Sequence, residues 1–161
     1  MTVQVRSAGP ADVPAAVAVW LRAHEARTGT TVAAAVVGIV RDRMSLPDAW
    51  FVVAEDGAAL VGMALGLAGR ADDGAGPVVP GLCHLGMVFV EPRRWGEGIG
   101  HALVAAAVDQ AADLGYRRVQ LWTHESNQRA QRLYRSHGFA PSGRTKTDDR
   151  GELIGHWIRD L

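Results

Sequence analysis

The sequence predicts an α/β fold in which one mixed sheet carries helices on both of its faces. Three observations predict it. Short apolar runs with strand character are interspersed with longer segments of helical periodicity. After two helices, the order of segments is a strand hairpin, then strand, helix, strand, helix and final strands. A glycine-rich turn at residues 96–100 joins a buried strand directly to a helix.

In the first half of the chain, prolines and glycines mark where the elements begin and end. Pro10 opens a helix, because a proline in the first helical turn gives up no hydrogen bond. Asp56 and Gly57 form the turn of a hairpin, since these residue types accept the backbone that tight hairpins need. The predicted elements are a strand at 3–6, helices at 10–27 and 32–44, strands at 50–55 and 59–67, and a loop at 68–80.

The second half of the chain is predicted from apolar spacing. A strand at 82–90 stops at Pro92, and the helix after the glycine turn runs to Gly115, a residue type that commonly ends helices. The predicted core face of this helix is Leu103, Val104, Ala107, Val108, Ala111 and Leu114. The remaining predicted elements are a strand at 118–124, a short helix from 127 to 137, and two strands at 139–145 and 152–159.

Length and composition indicate one domain spanning residues 1–161. A chain of 161 residues can bury a core of its own, and no repeat or linker divides it. The formal net charge of +0 gives no basic field, which disfavours nucleic acid as a partner. Cys83 is the only cysteine, so no disulfide can form within the chain. The polar start and the interrupted apolar runs predict neither a signal peptide nor a membrane span, so we expect a cytoplasmic protein.

The glycine turn is the strongest functional signal. Free backbone N–H groups at the start of a helix bind phosphate well, so the turn points to a phosphorylated ligand. It is not a Walker loop, because Gly100 is followed by His101 and not by Lys-Ser or Lys-Thr. A Rossmann dinucleotide site would need its third glycine at position 101, where the chain has histidine. A turn that only packs helix on sheet is the remaining alternative.

A second motif identifies the ligand by resemblance. Residues 127–139, Asn-Gln-Arg-Ala-Gln-Arg-Leu-Tyr-Arg-Ser-His-Gly-Phe, resemble the Asn-x-x-Ala-x-x-Leu-Tyr-x-x-x-Gly-Phe motif of the GNAT superfamily of acyl-CoA-dependent N-acetyltransferases. The resemblance extends over residues 82–139 and implies a GNAT-like, mostly antiparallel central sheet. The glycine turn departs from the family pattern at Trp95, where arginine or glutamine is usual.

This resemblance implies where acetyl-CoA would bind. Its pyrophosphate would rest on the backbone amides of Trp95, Gly96, Glu97, Gly98, Ile99, Gly100 and His101. Its pantetheine arm would pair with Val88, Phe89 and Val90 as an added strand, and the Val88 N–H would stabilise the oxyanion of the reacting thioester. Asn127 contacts the arm or, in the alternative reading, only caps its helix. The Glu97 carboxylate is expected to point to solvent, away from the phosphates.

The resemblance also suggests catalytic residues. Tyr134 would protonate the leaving thiolate, although the same helix face would also suit a core tyrosine. His84 is the first candidate for the base that deprotonates the amine, because some family branches carry a catalytic glutamate there; a structural strand histidine is the alternative. His124, Glu125 and water are further candidates. No histidine pair has metal-ligand spacing, so no metal is expected.

The predicted reaction is direct transfer of an acetyl group to a primary amine of a small molecule or peptide. Cys83 leaves a covalent route open. The acceptor would meet residues of the first helices, the 68–80 loop and the final hairpin, here His24, Glu25, Arg27, Asp72, Asp73 and Trp157. The alternatives are a non-catalytic acyl-CoA-binding module and a Rossmann-type nucleotide-binding domain. The sequence leaves the oligomeric state open, and a homodimer is compatible with the resemblance.

Overall fold

The computed structural model describes residues 2–161, and its elements follow the predicted order. The strands are β1 (Val3–Ser7), β2 (Trp50–Asp56), β3 (Ala59–Arg70), β4 (Val78–Val90), β5 (Arg118–His124), β6 (Ala140–Thr147) and β7 (Leu153–Asp160). The helices are α1 (Val13–Thr28), α2 (Ala34–Met44), α3 (Ile99–Asp113) and α4 (Gln128–Ser136). Short 3-10 turns occupy Pro10–Asp12, Asp72–Gly74 and Pro92–Arg94.

All seven strands form one sheet, in the order β1-β2-β3-β4-β5-β7-β6. Every neighbouring pair is antiparallel except β4 and β5, which are parallel and connected through α3. The mixed, mostly antiparallel sheet is therefore confirmed. The Rossmann-type alternative is wrong, because a doubly wound nucleotide-binding sheet is built from consecutive parallel strands.

Helices cover both faces of this sheet, as predicted. On one face, Val17 and Trp20 of α1 and Met44 of α2 pack on Met63 and Leu65. On the other face, the apolar side of α3 packs on inward-facing residues of β2 to β5, with Phe139 closing the end of this core. Within residues 2–161, no helix is both long enough and apolar enough to cross a membrane.

Two sequence-based expectations on this frame are corrected. The predicted loop at 68–80 is shorter, because β3 continues to Arg70 and pairs there with Val78 of β4. Gly and Pro have a low strand propensity, which is why the sequence predicted a loop here. Pairing between β3 and β4 outweighs that local propensity. Leu114 is 52% exposed and lies beyond the last turn of α3, so it does not belong to the core face.

A bulge and a divergence in the middle of the sheet create the space for a site. Leu85 and Met87 of β4 face consecutive β3 residues, so Gly86 between them is an extra, bulged residue. The parallel pairing of β4 with β5 ends at His84 and Gln120. Beyond that pair the two strands separate, and their carboxyl ends form the walls of a cleft.

Candidate active site

The cleft between the diverging strands has a volume of about 1170 Å³. Residues 85–90 of β4 form one wall and residues 122–124 of β5 the other. The glycine turn and the start of α3 lie at one end, with the exposed side of α4 beside them. The last turn of α1 and the connection between β6 and β7 lie at the other end. The cleft thus runs from the N-terminus of α3 to polar residues of α1 and of the β6–β7 connection.

The free edge of β4 offers backbone groups to this cleft. The Glu91 amide donates to the Val61 carbonyl of β3 at 2.8 Å. In an antiparallel pair, alternate residues bond to the same neighbour, so Phe89 also faces β3 while Val88 and Val90 face the other way. On that side β5 has already separated. The backbone of Val88 and the N–H of Val90 are therefore available to a ligand lying in the cleft.

The glycine turn holds the start of α3 open. Gly96 and Gly98 have φ of +88° and +83°, a backbone region that other residues rarely adopt. Ala102 donates to the Gly98 carbonyl, so the amides of the three preceding helical residues are left without a partner in the helix. These amides belong to Ile99, Gly100 and His101, and all three residues line the cleft.

Side chains brace the turn from both sides. The Trp95 indole N–H donates to the Val90 carbonyl at 2.8 Å, although the residue is 44% exposed. Arg94 pairs with Asp56 at 3.0 Å and with Glu97 at 2.8 Å. The Glu97 carboxylate is therefore held by Arg94 and does not line the cleft, and Arg94 is not a free cation. The Glu97 side chain is 46% exposed and lies outside the cleft, in an ion pair with Arg94.

α4 presents Tyr134 and Asn127 to the cleft. The Tyr134 ring contacts Phe139 edge-on, with ring centres 5.9 Å apart. Burial raises the pKa of Tyr134 to about 12, so its phenol keeps its proton at neutral pH. The Asn127 side chain accepts a hydrogen bond from the Ala130 amide at 3.1 Å, which confirms the helix-capping reading. Asn127 nevertheless also lines the cleft, so the cap does not exclude a ligand contact.

His124 is the histidine that faces the far end of the cleft. Arg27 Nη1 donates to its Nδ1 at 3.2 Å, and its Nε2 lies 2.8 Å from Asp148 and 3.1 Å from Glu152. A guanidinium has only donors, so Nδ1 must accept and the hydrogen sits on Nε2, where it points at the carboxylates. A metal at this cluster would need the Nε2 lone pair. The hydrogen bonds therefore suit a proton-holding imidazole better than a metal ligand.

Comparison with known proteins agrees with this geometry. The pattern that defines the acetyltransferase (GNAT) family matches residues 19–139. The chain belongs to the GNAT family. A GCN5-related N-acetyltransferase from Kribbella flavida superposes on this GNAT chain with a TM-score of 0.75 at 26% identity, covering 99% of this chain and 98% of that one.

Two further relatives extend the comparison. An N-acetyltransferase from Thermoplasma acidophilum, solved in complex with coenzyme A, has a TM-score of 0.68 at 16% identity, with 100% of both chains covered. Mycothiol acetyltransferase from Jonesia denitrificans is 43% identical over 63 residues, which are 38% of this chain and 20% of that protein. This GNAT chain thus matches only about a fifth of the length of that curated relative.

His84, the first candidate base, does not line the cleft of this GNAT protein. It belongs to the last pair before β4 and β5 separate, so it lies below the point where the cleft opens. Burial, followed by the positive charges of Arg43 and Lys146, lowers the pKa of His84 to about 4. Its Nδ1 lies 3.4 Å from the amide nitrogen of Gln120. These contacts describe a structural strand histidine.

Glu125, a further candidate for the base, and most of the residues named for the acceptor side also lie outside the cleft. Glu125 lies over Gly155 of β7. Asp73 pairs with Arg144 at 2.6 Å, and Trp157 is 4% exposed in the core. None of the following six lines the cleft: His24, Glu25, Asp72, Asp73, Glu125 and Trp157. Of the acceptor candidates, Arg27 does.

Cys83 is removed from the chemistry by burial. It is fully buried on the α3 side of β4, and burial raises the pKa of its thiol to about 12. A thiol in that state is a poor nucleophile at neutral pH, and Cys83 does not line the cleft.

The side chains that line the cleft and that sequence reasoning missed include three arginines and a tryptophan. Arg129 and Arg132 of α4 lie at its glycine-turn end, and neither forms an ion pair within residues 2–161. Trp122 of β5 and Arg150 of the β6–β7 connection complete the opposite end. The charged face of α4 was readable from the sequence, but its orientation toward the glycine turn depends on packing between α3 and α4.

Proposed function

We propose that this chain is an N-acetyltransferase that moves an acetyl group from acetyl-CoA to a primary amine of a small molecule or peptide. One observation carries the proposal. A single cleft contains, in sequence, unpartnered amides at the start of α3, the open backbone of Val88 and the protonated phenol of Tyr134. These are the groups that a pyrophosphate, a thioester carbonyl and a leaving thiolate require.

The cofactor would enter at the glycine-turn end. Its pyrophosphate would accept hydrogen bonds from the amides of residues 95–101, with Arg129 and Arg132 adding positive charge nearby. The pantetheine arm would pair with the open edge of β4 at Val88 and Val90, beside Phe89 and close to Asn127. The coenzyme A complex of the Thermoplasma relative supports this choice of cofactor.

The chemistry follows from the groups around Val88. The amine nitrogen attacks the thioester carbon, so a C–N bond forms and the carbonyl oxygen becomes negative. The Val88 N–H would stabilise that oxygen, because a fixed donor costs no reorganisation. The C–S bond then breaks, and the thiolate takes a proton from Tyr134. No acetyl group is carried by the protein, consistent with a buried Cys83.

His124 is the base that this cleft supports best. Asp148 and Glu152 lie at Nε2 and would stabilise the imidazolium, while Nδ1 is the nitrogen that can accept a proton once Arg27 moves aside. The nitrogen gives up two protons in all, one to His124 before attack and one when the C–S bond has broken. One of them restores the Tyr134 phenol that protonated the thiolate, and the other leaves to solvent. His84, with its lowered pKa and its place below the cleft, is not assigned this role.

A thiol-release assay tests the proposal. The protein is mixed with acetyl-CoA and, one at a time, with amino acids, polyamines, aminoglycosides and peptides with free N-termini. We expect release of CoA thiol with at least one class, accompanied by a gain of one acetyl group in the product mass. Binding of CoA in calorimetry without transfer to any amine would instead identify a non-catalytic acyl-CoA-binding module.

A further inference from the structure

Two arginines at the acceptor end of the cleft have no acidic partner. Arg27, at the end of α1, donates only to the His124 ring, and the Arg150 side chain forms no ion pair within residues 2–161. Both line the cleft, and both of their charges lower the pKa of His24, after burial. Arg27 contacts His124, and the Arg150 amide donates to Asp148, which contacts the same ring. Both arginines therefore belong to the end of the cleft that holds the proposed base.

Negative charge lies on the other side of the same imidazole. Asp148 and Glu152 contact His124 Nε2, opposite the nitrogen that Arg27 contacts. Asp148 is fixed by its loop, because its carboxylate accepts from the backbone amides of Arg150 and Glu152 at 2.9 Å. The Arg27 guanidinium and the two carboxylates thus lie on opposite sides of the His124 ring.

This end of the cleft is distinct from the cofactor end. The glycine turn has its own unpaired cations, Arg129 and Arg132, on α4. Arg27 and Arg150 lie instead on α1 and on the β6–β7 connection, at the end of the cleft that holds His124. Their charge is therefore left for the acceptor, and a planar guanidinium pairs best with a carboxylate, through two parallel hydrogen bonds.

We infer that the acceptor is a small molecule with a carboxylate close to its primary amine, as in an amino acid. The carboxylate is held by Arg27 and Arg150, which places the neighbouring amine at the Nδ1 side of His124, while Asp148 and Glu152 hold the Nε2–H on the opposite side. This inference rests on the proposed acetyltransferase function and names the substrate class for the same site.

Arg27 gives the carboxylate a second effect. Its guanidinium holds the Nδ1 lone pair of His124 in the unliganded protein. A carboxylate that draws Arg27 toward itself leaves Nδ1 free to accept the proton of the amine. The carboxylate of the acceptor thus helps to bind it and also helps His124 to deprotonate its amine. Removal of the carboxylate charge therefore lowers kcat as well as raising KM.

The experiment compares amino acids with their carboxamides, which keep the amine and lose the negative charge. Both series are assayed with the wild type, with Arg150→Gln and with Arg41→Gln. Arg41 is an exposed residue of α2 outside the cleft, so its substitution matches the charge change elsewhere. Calorimetry of amino acid binding to the protein–CoA complex gives a readout that does not depend on turnover.

We expect kcat/KM for the best amino acid to exceed that of its amide by roughly 10- to 100-fold, the scale of a charged, bidentate contact. Arg150→Gln lowers kcat/KM for the acid by a similar factor and leaves the amide within about twofold. Arg41→Gln changes neither. Equal rates for acid and amide, or an equal loss for both in Arg150→Gln, overturn the substrate class. Amino acid binding without acetylation of any amine overturns the proposed transferase while retaining the anion site.

Discussion

The Trp95 indole nitrogen donates a 2.8 Å hydrogen bond to the Val90 carbonyl, and this bond ties the glycine turn to the last residue of β4. Val90 is one of the two residues whose backbone faces the cleft, so the bond occupies a carbonyl on the proposed cofactor edge. The position usually carries arginine or glutamine in related sequences, which are also N–H donors. Tryptophan thus keeps a donor at this position with a larger ring.

Replacing Trp95 tests whether this bond orders the amide cradle. Trp95→Phe removes the N–H and keeps an aromatic ring, so we expect CoA to bind roughly 3- to 10-fold more weakly, as for one lost hydrogen bond of about 1 kcal/mol. Trp95→Gln keeps a donor and should lose less. Titration calorimetry with CoA measures both, and unchanged or tighter binding by Trp95→Phe would contradict this role.

Tyr134→Phe tests the proposed acid. Because the pKa of Tyr134 is about 12, its phenol is protonated throughout the usual assay range. Turnover should fall roughly 10- to 100-fold between pH 6 and 9, as for a lost acid catalyst. Binding of CoA should survive, since the amide cradle is intact. Unchanged turnover across that range would remove Tyr134 from the chemistry.

His124→Gln tests the proposed base, with a substitution of the next residue in the chain as its control. We expect kcat/KM to fall by about 100-fold, the usual contribution of a positioned base. Glu125→Gln is the matched control, because Glu125 is adjacent in sequence but lies over β7 and outside the cleft. It should stay within about twofold of the wild type. Equal losses in the two variants would argue for a local structural effect.

His84 should affect stability in acid. Its pKa is about 4 in the folded chain, against a usual value of 6.5, so it remains neutral there while the unfolded chain takes up a proton. The unfolded state then binds more protons between pH 6.5 and 4, and stability falls as the pH falls through that window. The loss of stability between pH 7 and pH 4 from this group is on the order of 3 kcal/mol.

His84→Gln should remove that share of the acid sensitivity. Urea denaturation at pH 7 and pH 4.5 measures the free energy of unfolding of the wild type and of the variant. We expect the variant to lose less stability between the two pH values than the wild type. An identical loss in both proteins would mean that His84 is protonated in the folded chain.

Cys83→Ala tests the direct route. The thiol is buried and its pKa is raised to about 12, so we expect turnover within about twofold of the wild type and a destabilisation of about 1 kcal/mol from the small cavity. Intact mass measured during turnover should show no acetylated protein. A protein species heavier by one acetyl group, lost in Cys83→Ala, would restore the covalent route.

Local sequence was sufficient for the elements and for the backbone of the glycine turn. The glycine turn, the first residues of α3 and the Asn127 cap are each defined by residues close in sequence, so their backbone conformation follows from local rules. The orientation of the Trp95 and Glu97 side chains was not predictable, since it depends on Val90, Arg94 and Asp56.

The sequence by itself determined the mixed α/β fold, the family resemblance and the backbone cradle, because contiguous motifs encode all three. Only the tertiary structure decided which candidate histidine lies at the cleft. His84 and His124 both lie on central strands, but β4 and β5 separate just after His84, and this leaves His84 below the cleft and His124 at its rim. Likewise Arg27 and Arg150, 123 positions apart in numbering, line one cleft only because α1 and the β6–β7 connection flank the same opening. Both outcomes depend on pairing and packing between segments that are distant in sequence, and no local sequence pattern encodes such contacts.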